Sequence, residues 1–318
     1  MSNRVSGSII ALAAAAALVL VAARYSAAQE EGGGGKYKPR SGCPEDVGID
    51  FHRCAQEKMK TFKPPLTSDG RPDFRGNWSR VLQALTIEER GPNLPEPRKA
   101  SARRASAIAD PPDGRIPYQP WAAEQAERNN KMYIDPETQC YSNGAQRVPY
   151  TSPGGYLFLQ PRGDREVAIL IERVHMYRLI PTDGRPHIPA NMKLFEGDPV
   201  GRWEGNTLVV DITNLNGRTW FDEAGDFLSD AAHVVERWTM ADRNTMHVES
   251  TIEDPQVLAR PMKLAVALIR IKDPGHELLE DPCWEGERDL QVISDVLSRY
   301  PGWKGLPGRE AHGAAAGR

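Results

Sequence analysis

The sequence predicts a mainly β protein: an antiparallel meander closed into a barrel or a sandwich, with short helical elements before it and one long surface excursion. Three observations carry this. From Tyr156 onward the apolar residues recur with a period of two instead of the helical period. Turn sequences such as Gly205-Asn206 and Ala241-Asp242-Arg243-Asn244 separate the alternating runs at short intervals. Runs joined by short turns leave an open sheet edge unless the sheet curls onto itself or stacks, so a closed architecture follows.

The first element is not part of the fold. Met1 to Arg4 carries one positive charge, Ser8 to Ala23 is almost wholly apolar, and Ser26-Ala27-Ala28 offers small residues at a cleavage position. Residues 1–28 therefore read as a secretory signal peptide, and the compartment as periplasm or extracellular space. An uncleaved membrane anchor is the alternative, because Val5 to Ala23 approaches the roughly 20 residues that span a bilayer. The abundance of alanine favours cleavage. Losing Arg4 and Arg24 with this segment leaves 290 residues and moves the formal charge from −3 to −5. A slightly acidic chain excludes nucleic acid as a partner, and a membrane too, except through an uncleaved N-terminus.

Residues 29–72 form a flexible tether and a cysteine-containing segment. Glu30 to Gly42 is Gly, Lys and Pro with nothing to bury. Cys43 to Met59 reads as a short helical element, with Val47, Ile49, Phe51, Cys54 and Met59 as its apolar positions. Three prolines and a glycine between Lys63 and Asp73 rule out regular structure there. The barrel or sandwich domain then spans 73–286, interrupted by an excursion over 88–135 dense in Pro, Arg, Ala and Ser. Its basic run, Arg98, Lys99, Arg103 and Arg104, reads as a solvated face because no aromatic residues interleave. Pro120 followed by Trp121 to Arg128 predicts a helix, proline being favoured in a first turn.

The strands follow in order. Tyr156 to Gln160 and Glu166 to Ile180 form a hairpin across Pro161-Arg162-Gly163-Asp164, with Val167 to Ile171 apolar on both faces and hence central. Gly205-Asn206 turns a second hairpin within Gly201 to Thr213, whose Leu208, Val210 and Ile212 share a face. Ala232 to Met240 and Thr245 to Glu253 pair next, then Pro261 to Ile271 with Glu277 to Trp284 across Lys272 to His276. Residues 287–318 make a C-terminal helix and a disordered tail. Four cysteines in an exported chain suggest two disulfides with three connectivities, of which Cys43–Cys54 and Cys140–Cys283 are favoured. No close Cys-x-x-Cys or Cys/His cluster supports zinc instead.

Two resemblances bear on the fold. Asp73-Phe74-Arg75-Gly76-Asn77-Trp78 resembles the Gly-x-Trp opening of lipocalin-like barrels, whose first-strand tryptophan plugs one end. The long excursion after Trp78 departs from that pattern. A second set of motifs is Ile116 to Ala122, Asp135-Pro136 leading to Cys140, Thr182 to His187, Gly201 to Asp211, His233 to Arg237 and Thr251 to Pro255. In order and spacing it resembles a large group of uncharacterised secreted bacterial proteins. Asn206 stands where that group has Asp, a change the turn tolerates. The resemblance implies export and a β-rich fold, and no activity.

Chemistry rests on the residues themselves. Along Glu166 to Ile180, read as one strand, Arg173, His175 and Tyr177 share a face; along Ala232 to Met240, His233 and Arg237 share one, with Glu236 and Trp238 opposite. Pointing inward, His175, Tyr177, His233 and Arg237 would make a polar patch able to fix a carboxylate or carbonyl. Apolar walls would hold the ligand body, and Trp203 would line the rim. The alternative is a solvated sheet face on which Glu172, Arg173, Glu236 and Arg237 are ordinary ion pairs. His175, His187, His233 and His247 are scattered, without His-x-His or His-Glu-x-x-His spacing, so no metal site is expected. Asp222, Glu223 and Asp226 depart from an EF-hand spacing. Neither a Gly-x-Ser-x-Gly elbow nor a dinucleotide or Walker loop is present, so no cofactor is expected. The reading is an exported, non-catalytic protein binding a small, largely apolar ligand in a β-barrel. One alternative is a cofactor-independent acid/base enzyme of hydratase or isomerase type using His175 and His233; another is an envelope protein-interaction module.

Overall fold

A computed structural model describes residues 39–281 apart from 46, 82–85, 89–105, 134, 151–153, 164, 175 and 280. The signal segment 1–28, most of the tether, the basic run around Arg103 and the C-terminal stretch 287–318 lie outside the described residues. So do His175 and Cys283.

The strands are β1 (Gly76–Arg80), β2 (Ile108–Asp110), β3 (Gly155–Leu159), β4 (Glu166–Ile171), β5 (Tyr177–Pro181), β6 (Asp198–Glu204), β7 (Thr207–Thr213), β8 (His233–Asp242), β9 (Thr245–Glu253) and β10 (Met262–Arg270). Two helices, α1 (Gly48–Met59) and α2 (Pro120–Met132), accompany them. The sheet runs β5-β4-β3-β1-β10-β9-β8-β7-β6, with every pair antiparallel. Followed around the circle, this is an up-and-down meander in which the first strand meets the last. Trp78 lies opposite Arg270 of β10 and opposite Tyr156 of β3. Beyond the end of β1, β2 continues the pairing along the first half of β10. The result is a nearly closed, nine-strand antiparallel barrel whose ladder is interrupted between β5 and β6.

Those two strands still pack at the interruption, and a glycine sets how closely. A Cβ on Gly201 of β6 would lie 2.7 Å from Ile180 Cγ2 of β5 and 3.0 Å from Thr182 Cγ2. Glycine inside a strand pattern marks such a close approach. In the β6–β7 hairpin, Gly205 takes a φ of 58° at the first central position of its turn, as a II′ turn requires.

Alternation places Leu208, Val210 and Ile212 of β7, Val234, Trp238 and Met240 of β8, and Leu264, Val266 and Leu268 of β10 in the core. Trp78 of β1 is wholly buried. Its indole Nε1 donates to Phe74 O at 2.8 Å, and the Arg270 guanidinium lies 4.2 Å over its ring while donating to Arg75 O. The Gly-x-Trp segment thus forms the first barrel strand.

Three expectations are corrected. Glu166 to Ile180 is two strands: β4 stops at Ile171, Val174 takes a φ of 57°, and Ile171 N returns to Met176 O at 2.8 Å. The described part of the expected strand Glu277 to Trp284 does not pair with β10, where β1 supplies that side of the ladder. The excursion is not wholly superficial, since α2 buries Ala122, Ala126 and Asn129, and Gln119 N donates to Val257 O at 2.9 Å. α1 lies on the outer face of the barrel wall, burying Phe51 and Ala55, with Cys43 bonded to Cys54 beside it. Cys140 is also disulfide-bonded. No helix among the described residues is long and apolar enough to cross a membrane.

Candidate functional site

The barrel interior is polar at its middle. On β8 the buried set Val234, Glu236, Trp238 and Met240 includes one carboxylate, and on β5 the buried set is Arg178 and Ile180. Arg178 and Glu236 are 2 % and 0 % exposed. Arg178 Nη1 sits 3.1 Å from Glu236 Oε2, which also accepts from Trp238 Nε1 at 2.9 Å. The other edge of this guanidinium, Nε and Nη2, is buried with no hydrogen-bond partner. Next to it, Tyr150 OH donates to Ser250 Oγ, and Glu196 accepts from Ser142 Oγ and from Gly144 N at 3.0 Å. The second Glu196 oxygen has no partner. Burial raises the Glu196 carboxyl above its usual range, and the nearby Arg178 only partly offsets this. Burial likewise lifts the Tyr150 phenol well above 10, and takes Tyr156 to about 12.

The chain itself supplies part of this filling. Residues Asn143 to Tyr150 are all buried. Arg80 Nη1 donates to Tyr150 O, Tyr156 OH donates to Val148 O at 2.7 Å, and Gln146 Nε2 donates to Thr219 Oγ1 at 2.7 Å. Beneath this plug, Phe74, Phe158, Trp203 and Trp238 form an aromatic cluster with centroid separations of 5.3 Å (Phe74–Trp203) and 5.5 Å (Phe158–Trp238). Trp203 faces inward, and its Nε1 is buried without a partner.

The other sequence candidates do not converge on this interior. Tyr177 points outward at 63 % exposure. Arg237 reaches across the outer wall to Glu204 at 2.9 Å. His233 Nε2 meets Asp211 Oδ1 at 3.0 Å, also outside; Asp211 is shared with His187 Nε2 at 3.2 Å, while His187 Nδ1 meets Asp198 at 2.8 Å. Arg173, in the turn before β5, binds Glu137 and Asp281. The polar patch is therefore built from Arg178 and Glu236, on the strand faces opposite to the ones expected, with Glu196 contributed by the loop before β6. Glu236 is not part of a solvated surface pair.

A second cluster lies outside the wall, beneath α1. His52 Nδ1 is 3.0 Å from His247 Nε2 and 3.7 Å from Glu249 Oε2. Burial, then the neighbouring His52, takes the His247 imidazole down to about 4. The readable part of this cluster is His247-x-Glu249, which period-two alternation puts on one face; His52 belongs to a distant helix. Open concavities lie around Arg75, Arg243, Asn244 and Arg270.

No family model matches this chain, and no curated protein does. Among solved structures it is similar to a crystal structure of a mutant of the fluorescent protein UnaG, at 11% sequence identity over 63% of this chain and 97% of that one, with a TM-score of 0.28.

Proposed function

We propose that this barrel binds a small, largely apolar molecule through an anionic head, a carboxylate in the first instance, and that the chain works after export to an oxidising compartment alongside the secreted bacterial proteins it resembles. The observation that carries the ligand reading is the unpartnered Nε/Nη2 edge of Arg178 inside a β-barrel. That edge is the fork that takes a carboxylate bidentately. Leaving such donors buried and unpaired costs about 1–3 kcal/mol each, so an oxyanion arriving there gains what the free protein lacks. Trp203, Trp238 and Phe158 offer aromatic surface for the apolar body. Because Asn143 to Tyr150 fill the interior, entry requires that plug to shift. Export is supported by the N-terminal sequence and by the Cys43–Cys54 disulfide, a bond that persists in oxidising compartments.

The acid/base alternative rests on His175 and His233; His233 Nε2 is bonded to Asp211 on the outer wall, away from the interior Arg178, and His175 lies outside the described residues. The test is native mass spectrometry of protein purified from an exporting host, followed by titration with aromatic and aliphatic monocarboxylates while the tryptophan emission is recorded. Binding of acids but not of their amides, weakened at least tenfold by Arg178→Lys, is the expected result. Equal affinity for acids and amides, or no saturable response, would overturn the reading.

A further inference from the structure

We propose that His52, His247 and Glu249 form a binding site for one divalent transition-metal ion of the zinc class, wedged between α1 and the outer wall of the barrel. The site is separate from the interior ligand reading and does not rest on it. Strand geometry builds half of it: His247 and Glu249 are two apart on β9, so both point outward while Val248 and Ser250 point into the barrel. Helix α1 brings the third donor. It is held against the wall by Phe51, whose ring centroid lies 5.6 Å from that of His247, and by Lys58 Nζ, which meets Asp242 Oδ2 of β8 at 3.0 Å.

The three donor atoms converge. His52 Nδ1, His247 Nε2 and Glu249 Oε2 all lie within 4.8 Å of one another, with His52 Nδ1 at 3.0 Å from the second nitrogen and 3.7 Å from the carboxylate oxygen. Ligand atoms about 2.0–2.1 Å from a tetrahedral zinc stand about 3.3 Å apart; both His52 separations lie within a few tenths of an ångström of that, and the donors of His247 and Glu249, at most 4.8 Å apart, would have to draw together by no more than about 1.5 Å. Two imidazoles and a carboxylate are a recognised zinc donor set, and three protein ligands leave a fourth position for water. Lys263 Nζ holds the other Glu249 oxygen, Oε1, at 2.8 Å, which leaves Oε2 aimed at the histidines as an outer-sphere partner would. The two imidazole nitrogens face each other directly, at 3.0 Å. Disulfides occupy Cys43, Cys54 and Cys140, so none of these offers a competing thiolate. The outer pair His187 and His233 does not converge in this way, because Asp198 and Asp211 take opposite sides of the His187 ring.

The test uses the full chain, freed of metal by a chelator and then titrated separately with zinc and with cobalt(II) by calorimetry and visible absorption. The expected result is one ion per chain and the strong d–d absorption of four-coordinate cobalt. His52→Ala and Glu249→Gln, each checked for an unchanged circular dichroism spectrum, are expected to weaken zinc binding at least tenfold, and His187→Ala to leave it unchanged. Glu249→Gln keeps the side-chain shape, so it separates ligand loss from misfolding. The absence of stoichiometric binding, binding that survives both substitutions, or binding lost with His187→Ala would overturn the proposal.

Discussion

The guanidinium of Arg178 on β5 meets the carboxylate of Glu236 on β8 inside the barrel at 3.1 Å, joining the strand on one side of the open seam to the third strand from its other side. Neither side chain reaches solvent, so each is the other's main electrostatic compensation. Losing one partner of such a pair strands a buried charge. Arg178→Met should therefore cost about 3–5 kcal/mol, and Arg178→Met with Glu236→Gln distinctly less, because the double variant buries no charge. Urea unfolding of the wild type, both single variants and the double variant measures this; additive losses would show that the pair is not coupled.

Gly201 tests how the barrel closes. A methyl group there would stand 2.7 Å from Ile180 Cγ2, in a place where no backbone ladder holds β5 to β6. Gly201→Ala should cost about 1–3 kcal/mol through overpacking, and Ile180→Leu, which removes the Cγ2 branch at similar volume, should return part of that loss in the same chain. The readout is the urea midpoint of Gly201→Ala compared with that of the double variant. A β-propensity effect alone would give no recovery, since Ile180→Leu by itself changes the shape of a packed core side chain and costs stability.

Much of this architecture was legible because alternation and turn chemistry are local. Gly205-Asn206 turns the β6–β7 hairpin, and the two-residue period of β7 and β8 is where the sequence put it. What alternation leaves open is which face turns inward. On β8 one face carries His233, Val235, Arg237 and Thr239, and the other Val234, Glu236, Trp238 and Met240. The second is the more apolar, and burying its three hydrophobic side chains draws Glu236 in with them. On β5 the faces are Tyr177, Leu179 and Pro181 against Arg178 and Ile180, so an apolar majority points to the wrong face; Arg178 turns inward together with Ile180, which packs against Gly201. Reading Glu166 to Ile180 as one strand obscured this, since the break at Val174 has no glycine or proline to announce it. His52 was out of reach for a different reason: it lies 195 residues from His247, and only the docking of α1 brings the two together.

Glu196 gives the barrel a pH dependence of a definite sign. Burial raises its carboxyl above the usual value of 4.5, so between 4.5 and the folded-state value the native protein holds a proton that the unfolded chain has released. Stability contributed by the neutral form is thus present below 4.5 and is lost as pH rises through the raised value. In that state one oxygen accepts from Ser142 and Gly144, and the second carries the proton; ionised, the second is a buried charge without a partner. Glu196→Gln reproduces the neutral form at every pH and keeps the accepting oxygen. It should leave stability nearly unchanged at pH 4 and raise it by about 1–3 kcal/mol at pH 8, the cost of burying the unpaired oxygen. Urea midpoints of wild type and Glu196→Gln from pH 4 to 8 measure the difference. A gap that stays constant or narrows with rising pH would mean that Glu196 is ionised throughout and that Arg178, close enough to favour the charged form, outweighs burial.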